Sequence, residues 1–165
     1  MKKLHSPWRS TYIKSFSNGK KTRSCLFCSV PKGRLTSKNL VVWKGEFCFI
    51  VLNRFPYNSG HFMVVPYRHT GDFTSLTAKE TAEIMRASSM GMNALREISD
   101  PHGFNFGANL GRVAGAGIDK HVHFHIVPRW SGDTNFMPVL GDVKLISEDL
   151  EDLWKKMKDL LKDER

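Results

Sequence analysis

Residues 121 to 128 read His121-Val122-His123-Phe124-His125-Ile126-Val127-Pro128, three imidazoles separated by single apolar residues. Side chains on a β-strand alternate between faces. The three rings would therefore share one face, about 6.6 Å apart at each step, with Val122, Phe124 and Ile126 turned into a core. Three protonated rings on one face would repel one another, so the neutral imidazole is the expected resting form. With an ordinary pKa of about 6.5, neutral imidazole is a good nucleophile toward phosphorus, and a second ring beside it can serve the leaving group. Spacing alone leaves two plainer readings open: a solvated polar face, and a row that shares a zinc ion. The run just upstream, Gly111-Arg112-Val113-Ala114-Gly115-Ala116-Gly117, favours phosphate chemistry, because glycines let backbone N–H groups approach phosphate oxygens closely. On its own it is also compatible with an ordinary strand connection. It is not a P-loop, whose G-x-x-x-x-G-K-[ST] pattern the chain lacks.

A histidine row of this kind needs a sheet to hold it. Leu40 to Trp43 and Glu46 to Leu52 form a hairpin of β-branched and aromatic residues around a Lys44-Gly45 turn. Further strands are expected at His61 to Val65, closed by Pro66, at Phe104 to Asn109, and at Val122 to Val127, giving about five. Between them Thr77-Ala78-Lys79-Glu80 has capping-box spacing. Ile84, Met85, Ser88, Gly91, Met92, Leu95 and Ile98 then recur every three or four residues, predicting a long amphipathic helix that ends at Asp100-Pro101. A last helix is expected from Ser147, with Glu148 and Asp149 in its first turn and Leu150, Leu153, Trp154, Met157, Leu160 and Leu161 on one stripe. Hairpins plus one long crossover helix define an α+β fold with an antiparallel sheet.

The chain has 165 residues, 41% apolar and 25% charged, the composition of one globular domain. Its 18 aromatic residues need a core, which excludes wholesale disorder. No apolar stretch approaches a membrane span, and the first residues lack the apolar run of a signal peptide, so a cytoplasmic protein is expected. The net charge of +9 favours anionic partners. The excess is concentrated at the start: residues 1–38 carry ten Lys and Arg and no Asp or Glu. They read as an irregular basic arm, partly packed on the rest through Cys25 and Cys28, with residues 39–165 as a single domain. Lys and Arg interleaved with Trp8, Tyr12 and Phe16 could touch nucleic acid. No recognised nucleic-acid module is present, however, and a solvated face or a lid over a phosphate site is the favoured reading.

Cys25-Leu26-Phe27-Cys28 is a C-x-x-C too closely spaced to staple a secreted fold, which points to zinc or redox chemistry. No second such pair follows, so zinc would need two more ligands. Two reduced thiols packed as small apolar groups are the alternative. Cys48, Met85 and Met92 read as core residues.

From Cys25 to about Val143 the chain resembles the histidine triad (HIT) family of nucleotide-binding proteins. His121 to Val127 satisfies every position of the family's His-φ-His-φ-His-φ-φ motif, with φ apolar. Leu52-Asn53-Arg54-Phe55-Pro56, Gly60 to Pro66 and Phe104 to Asn109 agree as well. The resemblance implies a homodimer of α+β protomers, each with a five-stranded antiparallel sheet. Such a protein cleaves nucleotides at the α-phosphate through a nucleotidyl-histidine intermediate, with no organic cofactor. It makes His123 the nucleophile, places His125 toward the bridging oxygen, and gives His121 and His61 supporting roles. Asn53 falls at the ribose-binding position; Asn109 and the backbone of Gly115, Ala116 and Gly117 fall at phosphate-contacting positions. Several similar HIT proteins bind structural zinc through a set that here is Cys25, Cys28, His69 and His121. The Asn109 position is Gln in the fragile-histidine diadenosine triphosphate hydrolases, and the loop from it to His121 is one residue longer here. Trp130 to Val139 instead looks like the branch that includes diadenosine tetraphosphate (Ap4A) phosphorylases. The implied activity is cleavage of Ap4A-like dinucleoside polyphosphates, resolved by water or orthophosphate. The alternatives are release of AMP from phosphoramidate or acyl adducts, and non-catalytic nucleotide binding.

Overall fold

The computed structural model describes residues 25–133 and 148–164. Outside the described residues lie most of the basic arm, all but the start of the Trp130 to Val139 segment, and Ser147. A one-turn helix α1 (Leu26–Ser29) precedes β1 (Val41–Lys44), β2 (Cys48–Leu52) and β3 (Phe62–Pro66). The long helix α2 (Ala78–Ser99) then leads to β4 (Gly103–Gly107), β5 (Phe124–Arg129) and α3 (Leu150–Leu161). Every strand pair is antiparallel, in the order β1-β2-β3-β5-β4, so β5 inserts between β3 and β4 and joins the triad segment to the centre of the sheet. Among the described residues no helix is long and apolar enough to cross a membrane.

β2 and β3 are buried along their whole length, as runs such as Cys48-Phe49-Ile50-Val51-Leu52 require. α2 begins on a reciprocal capping box: Glu80 N–H donates to Thr77 Oγ1, and Thr77 N–H donates to the Glu80 carboxylate. It ends at Asp100, in the left-handed region (φ 43°) ahead of Pro101. α2 sits close on β3, because a Cβ at Gly91 would lie 2.4 Å from the Phe62 ring. The indole N–H of Trp154 on α3 donates to the Val41 carbonyl at 2.8 Å and ties α3 to β1.

One inward interaction had no local signal. The buried Glu83 carboxylate on α2 accepts the backbone N–H groups of Glu46, Phe47 and Cys48 at 2.9, 2.6 and 2.9 Å. Burial pushes its pKa up, yet these three donors win and hold it below the usual carboxylate value. The hairpin connection is thus clamped by a helix carboxylate and runs through Gly45 to Phe47, one residue longer than a Lys44-Gly45 turn.

Three expectations are corrected. Met85 and Leu160, assigned to buried stripes, are 51% and 40% exposed; each lies one position, about 100° of helix rotation, from a buried neighbour, Ile84 and Leu161. Asp149 caps α3, accepting from Glu151 and Asp152 N–H, and so precedes the first turn. β5 starts at Phe124, which leaves His121 and His123 in the approach to the strand.

Candidate active site and metal centre

Val122 N–H donates to the Thr70 carbonyl at 2.7 Å, so the chain ahead of β5 is tied to the loop after β3 and not to a sheet neighbour. His121 is fully buried and faces α1; His123 and His125 lie edge to face, with ring centroids 4.9 Å apart. His61, one residue before β3, joins them through its Nε2, 2.9 Å from Nδ1 of His125.

Hydrogen-bond accounting fixes which nitrogen of each ring carries a proton. Nδ1 of His61 accepts from the backbone N–H of Tyr57 at 3.1 Å and from the Asn53 amide at 3.2 Å. Its Nε2–H therefore donates to Nδ1 of His125, and neutral His125 presents an N–H at Nε2. Nδ1–H of His123 donates to the His121 carbonyl at 2.9 Å, which leaves the Nε2 lone pair for chemistry. Burial lowers the His123 pKa below the ordinary histidine value, outweighing the upward pull of that carbonyl, so the ring is neutral near pH 7.

His121 divides its roles. Its carbonyl orients His123, whereas its ring belongs to a second cluster, in which the donor atoms of Cys25, Cys28, His69 and His121 all lie within 4.8 Å of one another. Its Nε2–H donates to the Pro66 carbonyl at 2.8 Å and so turns the Nδ1 lone pair toward the thiols. Bonds of about 2.3 Å to sulfur and 2.05 Å to nitrogen in a tetrahedron put nitrogen–nitrogen edges near 3.3 Å and sulfur–nitrogen edges near 3.6 Å. The observed separations are 3.3 Å between the two Nδ1 atoms, 3.4 Å from Cys25 Sγ to His121, and 3.4 and 3.6 Å from Cys28 Sγ to His69 and His121. The donor set fits Zn²⁺.

The remaining expected residues divide between the two surroundings. The Asn53 amide is engaged at His61 and, through Oδ1, at the Phe55 N–H. Asn109 lines a cleft of about 440 Å³ beside His125, with Tyr57, Asn105, Val127 and Arg129 among its other walls. Gly115 adopts φ +96°; it and Ala116 donate their N–H groups to the Arg112 and Gly111 carbonyls, while Gly117 ends the turn exposed.

Sequence reasoning passed over two residues. The Tyr57 ring packs 4.6 Å from His61 and 5.8 Å from His125; its position four residues ahead of His61 was the available signal. Phe27, held between the two thiols, is buried 4.8 Å from the His123 ring and 5.5 Å from that of His121.

Residues 34–132 match the HIT domain family model, and the chain belongs to the HIT family. Its sheet and helices are the HIT fold, shared with a crystal structure of a Zn-bound histidine triad family protein from Mycobacterium smegmatis. That likeness has a TM-score of 0.66 at 25% identity and covers 85% of this chain and 94% of the other. The AP-4-A phosphorylase of Mycobacterium tuberculosis is 38% identical over 157 residues, 92% of this chain and 80% of that one. An adenosine 5'-monophosphoramidase of Schizosaccharomyces pombe is 31% identical over 106 residues, 64% and 74% of the two chains.

Proposed function

We propose that this protein is a nucleotidyl hydrolase or transferase that cleaves Ap4A-like dinucleoside polyphosphates at the α-phosphate. The observation that carries this reading is the pairing of a bare Nε2 on His123 with an N–H at Nε2 of neighbouring His125. In the first step the His123 lone pair forms a bond to the α-phosphorus while the bond to the bridging oxygen breaks. The polyphosphate leaves as an anion, hydrogen-bonded by His125 Nε2–H, and the positive charge on the adenylylated ring is shared through Nδ1–H with the His121 carbonyl. In the second step water or orthophosphate attacks the same phosphorus, the phosphorus–nitrogen bond breaks, the proton of the acceptor goes to solvent, and His123 regains its lone pair. Asn53 would meet the ribose; Asn109 and the turn at Gly115 to Gly117 would meet phosphate.

Cys25, Cys28, His69 and His121 would hold a structural zinc, which supplies fixed geometry to α1 and His121 and no chemistry at phosphorus. Among the described residues the outer edge of β4 has no strand neighbour, and Phe106 on it and Leu110 and Val113 just after it are exposed at 42%, 47% and 106%; this edge is where a second copy would extend the sheet into a homodimer.

Incubation with Ap4A, with and without orthophosphate, tests the reading by its products. ADP with ATP marks phosphorolysis; AMP with ATP marks hydrolysis at the α-phosphate. His123→Ala should abolish either while nucleotide binding survives, and undiminished cleavage by that variant refutes the reading. A second reading, release of AMP from phosphoramidates, draws on the likeness to the fission-yeast enzyme. Preference for adenosine 5'-monophosphoramidate over Ap4A in kcat/KM would establish it.

A further inference from the structure

Beyond His125 the open face of the sheet is shaped by what is missing from it. Successive outward residues of β5 are His125, Val127 and Arg129, so the strand carries this face about 13 Å from the triad. Opposite them on β4 stand Gly107, Asn105 and Gly103. Among the described residues, a Cβ added at Gly103 or Gly107 would meet nothing within 4 Å, so the two glycines leave space on either side of Asn105. The result is a trough that starts at His125 and ends at Arg129, the cleft of about 440 Å³ already described, within the ordinary range for a small-molecule site.

Its walls are unsuited to another phosphate. Arg129 donates from Nε and Nη2 to the two oxygens of Asp133 at 2.6 and 2.8 Å, and from Nη1 to Asn105 Oδ1 at 2.9 Å, so its charge is already neutralised. What remains is the Tyr57 ring, 43% exposed, the Val127 side chain and the amide of Asn105, with Asn109 at the His125 end where the phosphates would lie. A flat ring beside amide edges and an apolar floor suits a heterocyclic base and a ribose.

Direction adds the second argument. In-line attack from Nε2 of His123 expels the leaving group on the opposite side of the phosphorus, toward His125, where the trough opens. We propose that the trough seats the second nucleoside of a dinucleoside polyphosphate, the half that departs when His123 attacks; this rests on the reading of His123 given above. An acceptor enters by the same route, since it must displace His123 from the face the first product vacated.

The test compares Ap4A with adenosine 5'-tetraphosphate, which carries the same AMP half and the same three leaving phosphates but no second nucleoside. The expected result is a kcat/KM for Ap4A at least tenfold higher. Val127→Phe, which fills the middle of the trough, should bring the ratio close to one, and Asn105→Ala, at an exposed position, should lower it. Equal kcat/KM for both substrates in the unaltered protein overturns the trough while leaving the His123 reading standing. A preference for Ap4A that neither variant changes also overturns it. Release of neither AMP nor ADP from either substrate, with orthophosphate present or absent, overturns the His123 reading and the trough with it.

Discussion

Removing the zinc proposed for the Cys25, Cys28, His69 and His121 cluster should destabilise the whole domain by a calculable amount. The four donors come from α1, the loop after β3 and the approach to β5, segments joined across up to 96 positions of sequence. An ion bound only by the folded chain, present at about 100 times its dissociation constant, adds about 2.7 kcal/mol of stability. In a chain of 165 residues each kcal/mol shifts the midpoint by about 2–4 °C, so a chelator should lower Tm by about 5–11 °C. Protein purified without chelators should contain one zinc per chain by elemental analysis. Cys28→Ser should lose both the metal and the chelator response, whereas Cys48→Ala, whose thiol lies buried in β2 outside the cluster, should keep the metal. Metal-free protein whose melting is unaffected by chelator, with Cys28→Ser melting alongside it, would refute the reasoning.

Further predictions concern the frame and the histidine relay. Paired first with Arg68 and then with Thr77, Glu80 has its pKa held at about 2 against an ordinary 4.5. Its contribution is therefore complete above pH 4.5 and lost as pH falls from there toward 2. Glu80→Gln should cost about 1–3 kcal/mol at pH 7 in urea denaturation and flatten the acid limb of the stability profile; an unchanged profile would contradict the pairing. Gly91→Ala should destabilise by about 1–3 kcal/mol although alanine favours helix, because its Cβ meets the Phe62 ring at 2.4 Å; a gain in stability would show that α2 can shift. His61→Phe removes the donor to His125 Nδ1 and should lower kcat about 10- to 100-fold with KM little changed; a loss confined to KM would place His61 in binding instead.

The parts of the fold that were legible in the sequence are those with local causes. The capping box at Thr77 and Glu80, the helix stop at Asp100-Pro101 and the apolar run of β2 each depend on residues a few positions apart. The register of the histidines was not legible, because it is decided at long range. The strand begins at Phe124, the His121 ring lies against the α1 thiols, and the Val122 N–H donates to Thr70 in the loop after β3, all contacts between segments far apart in sequence. Glu83 reads as an ordinary surface glutamate of a helix, and only the folded hairpin reveals the three amides that bury it. The spacing of three histidines pointed to phosphorus chemistry, and the family resemblance implied the other candidate residues. The proposed division of the triad into a chemical pair and a metal ligand was already implied by the family resemblance; what the sequence did not reveal is the packing of Phe27 and Tyr57 against the rings and the Pro66 carbonyl that orients His121.

The covalent step is open to direct measurement. Protein mixed with Ap4A labelled at the α-phosphate, quenched within one turnover and digested under alkaline conditions, should yield a peptide carrying one adenylyl group on His123. The label should appear and decay at rates that account for turnover. Steady release of AMP or ADP with no labelled peptide at any time, or with the label on another residue, would contradict the assignment.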